Sequence, residues 1–297
     1  MPKLMGRLGR SDTMSGWALV SPAAVLIGIF GLLPVLMSLQ LSFQDSDLLS
    51  EKTPWVGFEN YQKLATDPMF LESVKHTIVY TALFVPGTML VGLVIAAAMN
   101  RSLRFISVYR TAAYITMAVS TISQGIIFLW LTDRDYGLVN AGLNAVGLPS
   151  QPFLASPSQA LFVIVAMTIW GWTGFSVIVY LAALQGVPVE LHEAAAIDGA
   201  TAFTRFRTIT VPLLGPANLF LLVWLTINAL QLFDEVYATT RGGPLRATTV
   251  IVYYLWDRAF VQFDAGYAAA MAYALFVVIL VVTAIQFRLA KRHVHYS

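Results

Sequence analysis

The chain has 297 residues, 58% of them apolar and only 11% charged, with a mean hydropathy of +0.71. A soluble domain carries roughly 25% charged residues, so this deficit excludes an ordinary soluble globule and indicates a polytopic membrane protein. The lack of cysteine excludes disulfides and thiolate chemistry, and a net charge of +2 scattered over loops and termini gives no nucleic-acid-binding face.

A membrane-crossing helix needs about 20 apolar residues. Six runs meet this, at about 17–43, 76–99, 111–132, 159–184, 212–236 and 266–289. The first is longer than the ~7–15-residue core of a signal peptide and reads as a retained span. All six are predicted to be helices, because backbone polar groups in lipid must be satisfied within the segment and the runs do not alternate as barrel strands do. Eleven Lys and Arg residues fall on the side of the two termini, among them Arg104, Arg205, Arg207 and Arg288; seven fall on the other, among acids such as Asp67 and Glu72. Both termini, with tails at 1–16 and 291–297, are therefore expected in the cytoplasm.

Between the first two spans, Pro54 to Ile78 has turn signals and then an amphipathic stretch, read as an ordered external cap or a contact for an external protein. Pro86-Gly87 inside the second span predicts a kink. In the third, Thr116, Ser120, Ser123 and Gln124 have the spacing of one helical face, suited to a hydrophilic path or to a neighbouring helix. The fourth carries Trp170 and Trp172 near mid-span, able to stack on a sugar ring or to anchor the helix, with Thr173, Ser176 and Tyr180 on one face. The fifth places Asn228, Gln231, Asp234 and Glu235 on one face toward its external end, where polar groups at membrane depth mark a pathway, unless Asp234 and Glu235 sit just outside the hydrocarbon. Ser120, Gln124, Trp170, Trp172, Asn228, Gln231 and Asp234 are thus the candidate pathway residues.

One polar stretch interrupts the apolar chain, Glu193 to Pro212, EAAAIDGATAFTRFRTITVP. Its charges would each cost several kcal/mol in hydrocarbon, so it lies outside, and the loop charges place it in the cytoplasm. It reads as a short helix, a turn at Gly199 and a second basic segment. The spacing Glu193-Ala194-Ala195, Gly199, Ile209, Pro212, with Asp198 before the glycine, resembles the EAA motif of permease subunits of binding-protein-dependent ABC importers. Gly57-Phe58-Glu59-Asn60-Tyr61, Asp135 to Asn140, Thr240 to Pro244 and Gln262 to Met271 are similar to blocks of the sugar and glycerol-phosphate branch.

That resemblance implies an all-α integral membrane fold of the type I importer kind, with six transmembrane helices and a cytoplasmic coupling loop at 185–211. It also implies a bacterial or archaeal cytoplasmic membrane location. Glu190, Glu193, Ala194, Ala195, Asp198 and Gly199 would dock a cytosolic ATPase. The implied partners are a second homologous permease, two ATP-binding subunits that carry ATP and Mg, an external solute-binding protein and membrane lipid. The chain would form half of an alternating-access pathway without being an enzyme. None of its five lysines follows a glycine, so it has no phosphate-binding loop, and Ala196 stands where His192-Glu193 would need a second zinc histidine. A phosphorylated solute would favour Arg241, Arg246 or Arg258; a neutral sugar would favour the tryptophans and amides. The rival is an ATP-independent secondary transporter, which commonly shows an internal repeat and intramembrane charge relays; no repeat is visible here.

Overall fold

A computed structural model describes residues 10–47, 53–100 and 104–290. Among the described residues its regular elements are helices, and β-pairing is confined to isolated bridges such as Gln44 to Trp55. Residues 1–9 and 291–297 of the expected tails lie outside the described residues.

Among the described residues, four helices are long and apolar enough to cross a membrane unaided. The first covers Gly16–Leu41 and is built from α1 (Arg10–Leu26), a wider turn at Ile27–Leu32 and α2 (Leu33–Leu41). A short α3 (Glu59–Thr66) precedes α4 (Pro68–Met99). After a short α7 (Leu138–Ala145) come the other two long helices, α8 (Ala160–Gln185) and, beyond a three-residue α11 (Val211–Leu213), α15 (Ala265–Ala290). Two bent pairs complete six crossings if each pair is one span. These are α5 (Ile106–Ala118) with α6 (Thr121–Leu131), bent by 101°, and the segment Ala202–Leu213 with α12 (Gly215–Leu230), bent by 65°.

Three sequence readings need correction. The second span begins at Pro68 rather than 76, because Asp67 caps it: its Oδ1 accepts the Met69 N–H at 2.9 Å, and Pro68 occupies the first turn where its missing N–H costs nothing. The helix then runs through Pro86 without interruption. The third span is not one helix, so Thr116 and Ser120 to Gln124 share no face. The chain turns at Val119, Ser120 Oγ caps α6 by accepting the Ser123 N–H at 3.3 Å, and Gln124 Nε2 donates to the Val119 carbonyl at 2.9 Å. Side chains thus satisfy the backbone groups that the bend releases. The fifth helix ends at Leu230, so Gln231, Asp234 and Glu235 lie beyond it; Asp234 opens a separate helix, α13 (Asp234–Ala238).

Helix α8 lies at the centre and packs against α4, α5 and α12. Small residues set the closest approaches: a Cβ on Gly92 of α4 would stand 2.5 Å from Ser176 Cβ, and one on Gly174 of α8 would stand 2.7 Å from the Ala113 carbonyl of α5. Around these contacts Tyr80, Phe84, Ile164, Val177, Leu221 and Leu225 form the buried core. Tyr180 donates to Asn218 Oδ1 at 2.8 Å, joining α8 to α12, and Gln286 Nε2 donates to Thr226 Oγ1 at 2.9 Å, joining α15 to α12. Thr173, Ser176 and Tyr180 do share a face, and all three are buried in helix contacts.

Gly92→Ala is expected to destabilise the protein by about 1–3 kcal/mol, since the clash includes the Ser176 backbone, which cannot move aside. The check is thermal unfolding in detergent, where Ser176→Gly in the same chain should recover part of the loss.

Candidate functional site

Three places gather the candidate residues: a chamber, the polar loop and an outer cavity. The chamber has a volume of about 360 Å³ and brings together Trp172, Asn228, Gln231 and Asp234, with Thr121 and Glu235 beside them. What assembles it is a turn. Gln231 ends α12, the chain reverses through Leu232 and Phe233, and α13 restarts at Asp234, so polar groups from both sides of the break face one space. Tyr80 and Phe84, stacked at 5.3 Å, and Phe233 supply aromatic walls. Neither Asp234 nor Glu235 forms an ion pair among the described residues.

Three expected pathway residues are not on its wall. Ser120 is the cap of α6, and its neighbour Thr121 takes the lining position. Gln124 is buried and holds the bend. Trp170 is exposed beside Phe128, with ring centroids 5.8 Å apart. Two positions along a helix are about 200° apart, so Trp170 and Trp172 point to opposite sides of α8. Thr121, Tyr80 and Phe84 were missed because a hydroxyl or a ring within an apolar run has no distinguishing pattern.

At the other end of α8, the polar loop forms α9 (Val189–Ile197), which has no buried residue. It closes in a Schellman turn: Gly199 has φ +79°, its N–H donates to the Ala196 carbonyl at 3.1 Å, and the Ala200 N–H reaches the Ala195 carbonyl at 2.9 Å. Thr201 then caps α10 (Ala202–Arg205). Arg205 Nη1 donates to the His192 carbonyl at 3.2 Å, fixing α9 against the segment that re-enters the bundle. Glu190, Glu193, Ala194 and Asp198 are exposed and Ala195 is partly covered; Ile197 and Phe203 are 87% and 74% exposed. A short helix is thus held out from the bundle with an apolar edge uncovered.

The outer cavity, about 390 Å³, gathers Arg241, Arg246 and Arg258 between the loop after α13, α14 (Ile251–Trp256) and the start of α4. Asp67 anchors it: Oδ2 accepts from Tyr254 Oη at 2.6 Å and Tyr267 Oη at 2.8 Å, with Arg258 at 3.8 Å. Burial alone would raise the Asp67 pKa, but the hydrogen bonds from Tyr254, Tyr267 and the Met69 and Phe70 N–H groups outweigh it and hold the carboxyl below its usual range. Burial and the bond to Asp67 push Tyr254 up to about 12.

Residues 88–295 match the family described as "Binding-protein-dependent transport system inner membrane component". The chain belongs to this family. It is 34% identical to the lactose transport system permease protein LacF of Rhizobium radiobacter, over 96% of each chain. It is 33% identical to the sn-glycerol-3-phosphate transport system permease protein UgpA of Agrobacterium fabrum, over 95% of this chain and 96% of that one. A crystal structure of a bacterial ABC transporter that imports the acidic polysaccharide alginate contains a chain of the same fold, with a TM-score of 0.84 and 25% identity over 95% of this chain and 98% of that one. The protein is therefore a multi-pass inner-membrane permease of an ABC importer, and not its catalytic subunit.

Removing the Asp67 carboxylate leaves two buried hydroxyls without an acceptor, so Asp67→Ala should cost the permease on the order of 3 kcal/mol. Because the folded pKa lies below the ordinary 3.8, the stabilisation is complete above that value and is lost as pH falls through the folded pKa. Unfolding followed in detergent from pH 7 to pH 3 should show an acid-sensitive component in the parent that the variant lacks.

Proposed function

We propose that this permease forms half of the translocation pathway for a sugar or a glycerol-phosphate-type solute, driven by alternating access coupled to a separate ATPase through α9. The observation that carries the reading is α9 itself: a short helix with no buried residue, closed by a glycine that the turn requires and clamped by Arg205. Small side chains at Ala194 and Ala195 allow it to seat in a cleft, Glu190 and Glu193 offer charged contacts, and Ile197 supplies apolar area. Arg205 and the backbone re-entering the bundle pass its motion to α12 and so to the chamber wall at Asn228 and Gln231.

Packing together with charge supports one sidedness. Helices α4 and α8 run parallel, since Gly87 meets Ile169 and Gly92 meets Ser176, so Asp67 and α9 lie at opposite ends. The excess of Lys and Arg on the α9 side supports a cytoplasmic α9, cytoplasmic termini and an external arginine cavity. The remaining proposed partners are a second homologous permease completing the chamber, two ATP-binding subunits and an external binding protein. The names LacF and UgpA support a carbohydrate or a glycerol phosphate equally. The chamber, with amides, carboxylates and aromatic faces, supports a hydroxyl-rich solute.

Ala195→Asp should abolish ATP-driven uptake in the reconstituted complex through lost assembly or coupling. Uptake that persists at the parent rate, or that needs no ATPase, would favour a self-contained transporter. Gln231→Ala should raise the KM for uptake about tenfold, the effect of losing one or two solute hydrogen bonds. Trp170→Ala, outside the chamber, should leave KM within about twofold. Equal effects of the two would remove the chamber from the pathway.

A further inference from the structure

The side chains suited to an anionic cargo and those suited to an uncharged one fall into separate cavities. Arg241, Arg246 and Arg258 line the outer cavity, while Trp172, Asn228, Gln231, Asp234 and Glu235 line the chamber, and no lining residue is shared. Phe233 of the chamber wall stacks on Tyr237 at 5.4 Å and on Tyr253, which lines the outer cavity, at 6.3 Å. Rings, not guanidinium groups, therefore back the chamber on that side. Arg258 is committed elsewhere, with Nε and Nη2 donating to Tyr254 Oη at 2.9 and 2.7 Å and Asp67 at 3.8 Å.

Among the described residues that line the chamber there is no Lys, Arg or His. Asp234 and Glu235 follow one another in the first turn of α13, and no ion pair among the described residues neutralises either. An ionised carboxylate only accepts hydrogen bonds. Asn228 adds to this bias: its Nδ2 donates to the Trp224 carbonyl at 2.8 Å, which leaves Oδ1 as an acceptor. Sugar hydroxyls can donate to such a wall. A phosphate dianion has no proton to give, and it would meet two like charges in a space of about 360 Å³ walled by the Tyr80, Phe84 and Trp172 rings. Trp172 is held edge to face against Phe84 at 6.4 Å.

We infer that Asp234 and Glu235 make the chamber selective against anions, so that the cargo is an uncharged, hydroxyl-rich solute such as a neutral sugar and not glycerol phosphate. This rests on the reading of the chamber as pathway wall and adds the charge class of what passes it. The two carboxylates have one role each way: they accept hydroxyl protons from the cargo, and their field keeps phosphate out.

The chamber's charge can be measured without knowing the cargo. The assembled complex carrying Thr121→Cys is placed in nanodiscs, where reagents reach both faces, and labelled during ATP turnover. The probes are two methanethiosulfonates of similar size, one a cationic trimethylammonium and one an anionic sulfonate. This chain has no cysteine of its own, so its intact mass gives each rate. The cation-to-anion rate ratio should exceed that of free 2-mercaptoethanol at least about tenfold, and Asp234→Asn with Glu235→Gln should return it to within about threefold. Leu245→Cys, 88% exposed and next to Arg246, should favour the anionic reagent and shows that the pair reports local charge. A parent ratio at or below the free-thiol value would overturn the inference, because the second permease would then supply cations that outweigh the acids. So would protection of Thr121→Cys by sn-glycerol 3-phosphate and not by lactose at equal concentration. Failure of both reagents to reach Thr121→Cys in any nucleotide state would instead remove the chamber from the pathway, and the inference with it.

Discussion

In hydrocarbon no water is available to answer a free carbonyl or N–H, so the chain can leave the helical ladder only where its own side chains take over. The bend between α5 and α6 shows that constraint, and helix ends outside the membrane are answered in the same way. Between α5 and α6 the Val119 carbonyl is taken by Gln124 and the Ser123 N–H by Ser120. The start of α4 is answered by Asp67, and the end of α9 by its own glycine turn. Breaks that are chemically answered can then be placed where a cavity or a docking surface requires them.

The chamber, the polar loop and the outer cavity are all products of such breaks. The chamber exists because α12 stops at Leu230 and α13 begins afresh at Asp234, and because α6 starts beside it with Thr121 at the wall. The outer cavity depends on a loop of left-handed residues tied by threonine hydroxyls. The straight helices between them, above all the closely packed α4 and α8, form the rigid frame. A displacement of α9 can therefore reach the chamber through the bent segment Ala202–Leu213 and α12 without dissolving the core.

Much of this was legible in the sequence. Four long helices lie within a few residues of the apolar runs read from hydropathy, apart from the early start of α4, and the polar loop forms a helix, a glycine turn and a second short helix. The bends were not legible, because hydropathy averages over a window and a two-residue break inside an apolar run leaves the average unchanged. Ser120 capping Ser123, and Gly215-Pro216 after Pro212, were the available signals for them. The same blindness turned Asn228 to Glu235 into a helical face when it is a reversal; the residues still meet because the turn returns them to one space. The tryptophans show the limit of composition: Trp170 and Trp172 look alike in sequence, and only the angle between them along α8 separates chamber wall from outer surface.

The central claim is that α9 meets an ATPase subunit on the cytoplasmic side while the arginine loop faces outward. The chain has no cysteine, so single cysteines can be introduced without background. A photo-crosslinker carried at Ile197→Cys in the assembled complex, with the adduct identified by mass spectrometry, tests the claim directly. The account expects an adduct with an ATP-binding subunit from that position and none from Leu245→Cys. An ATPase adduct from Leu245→Cys, or none from Ile197→Cys in an assembled complex, would contradict it.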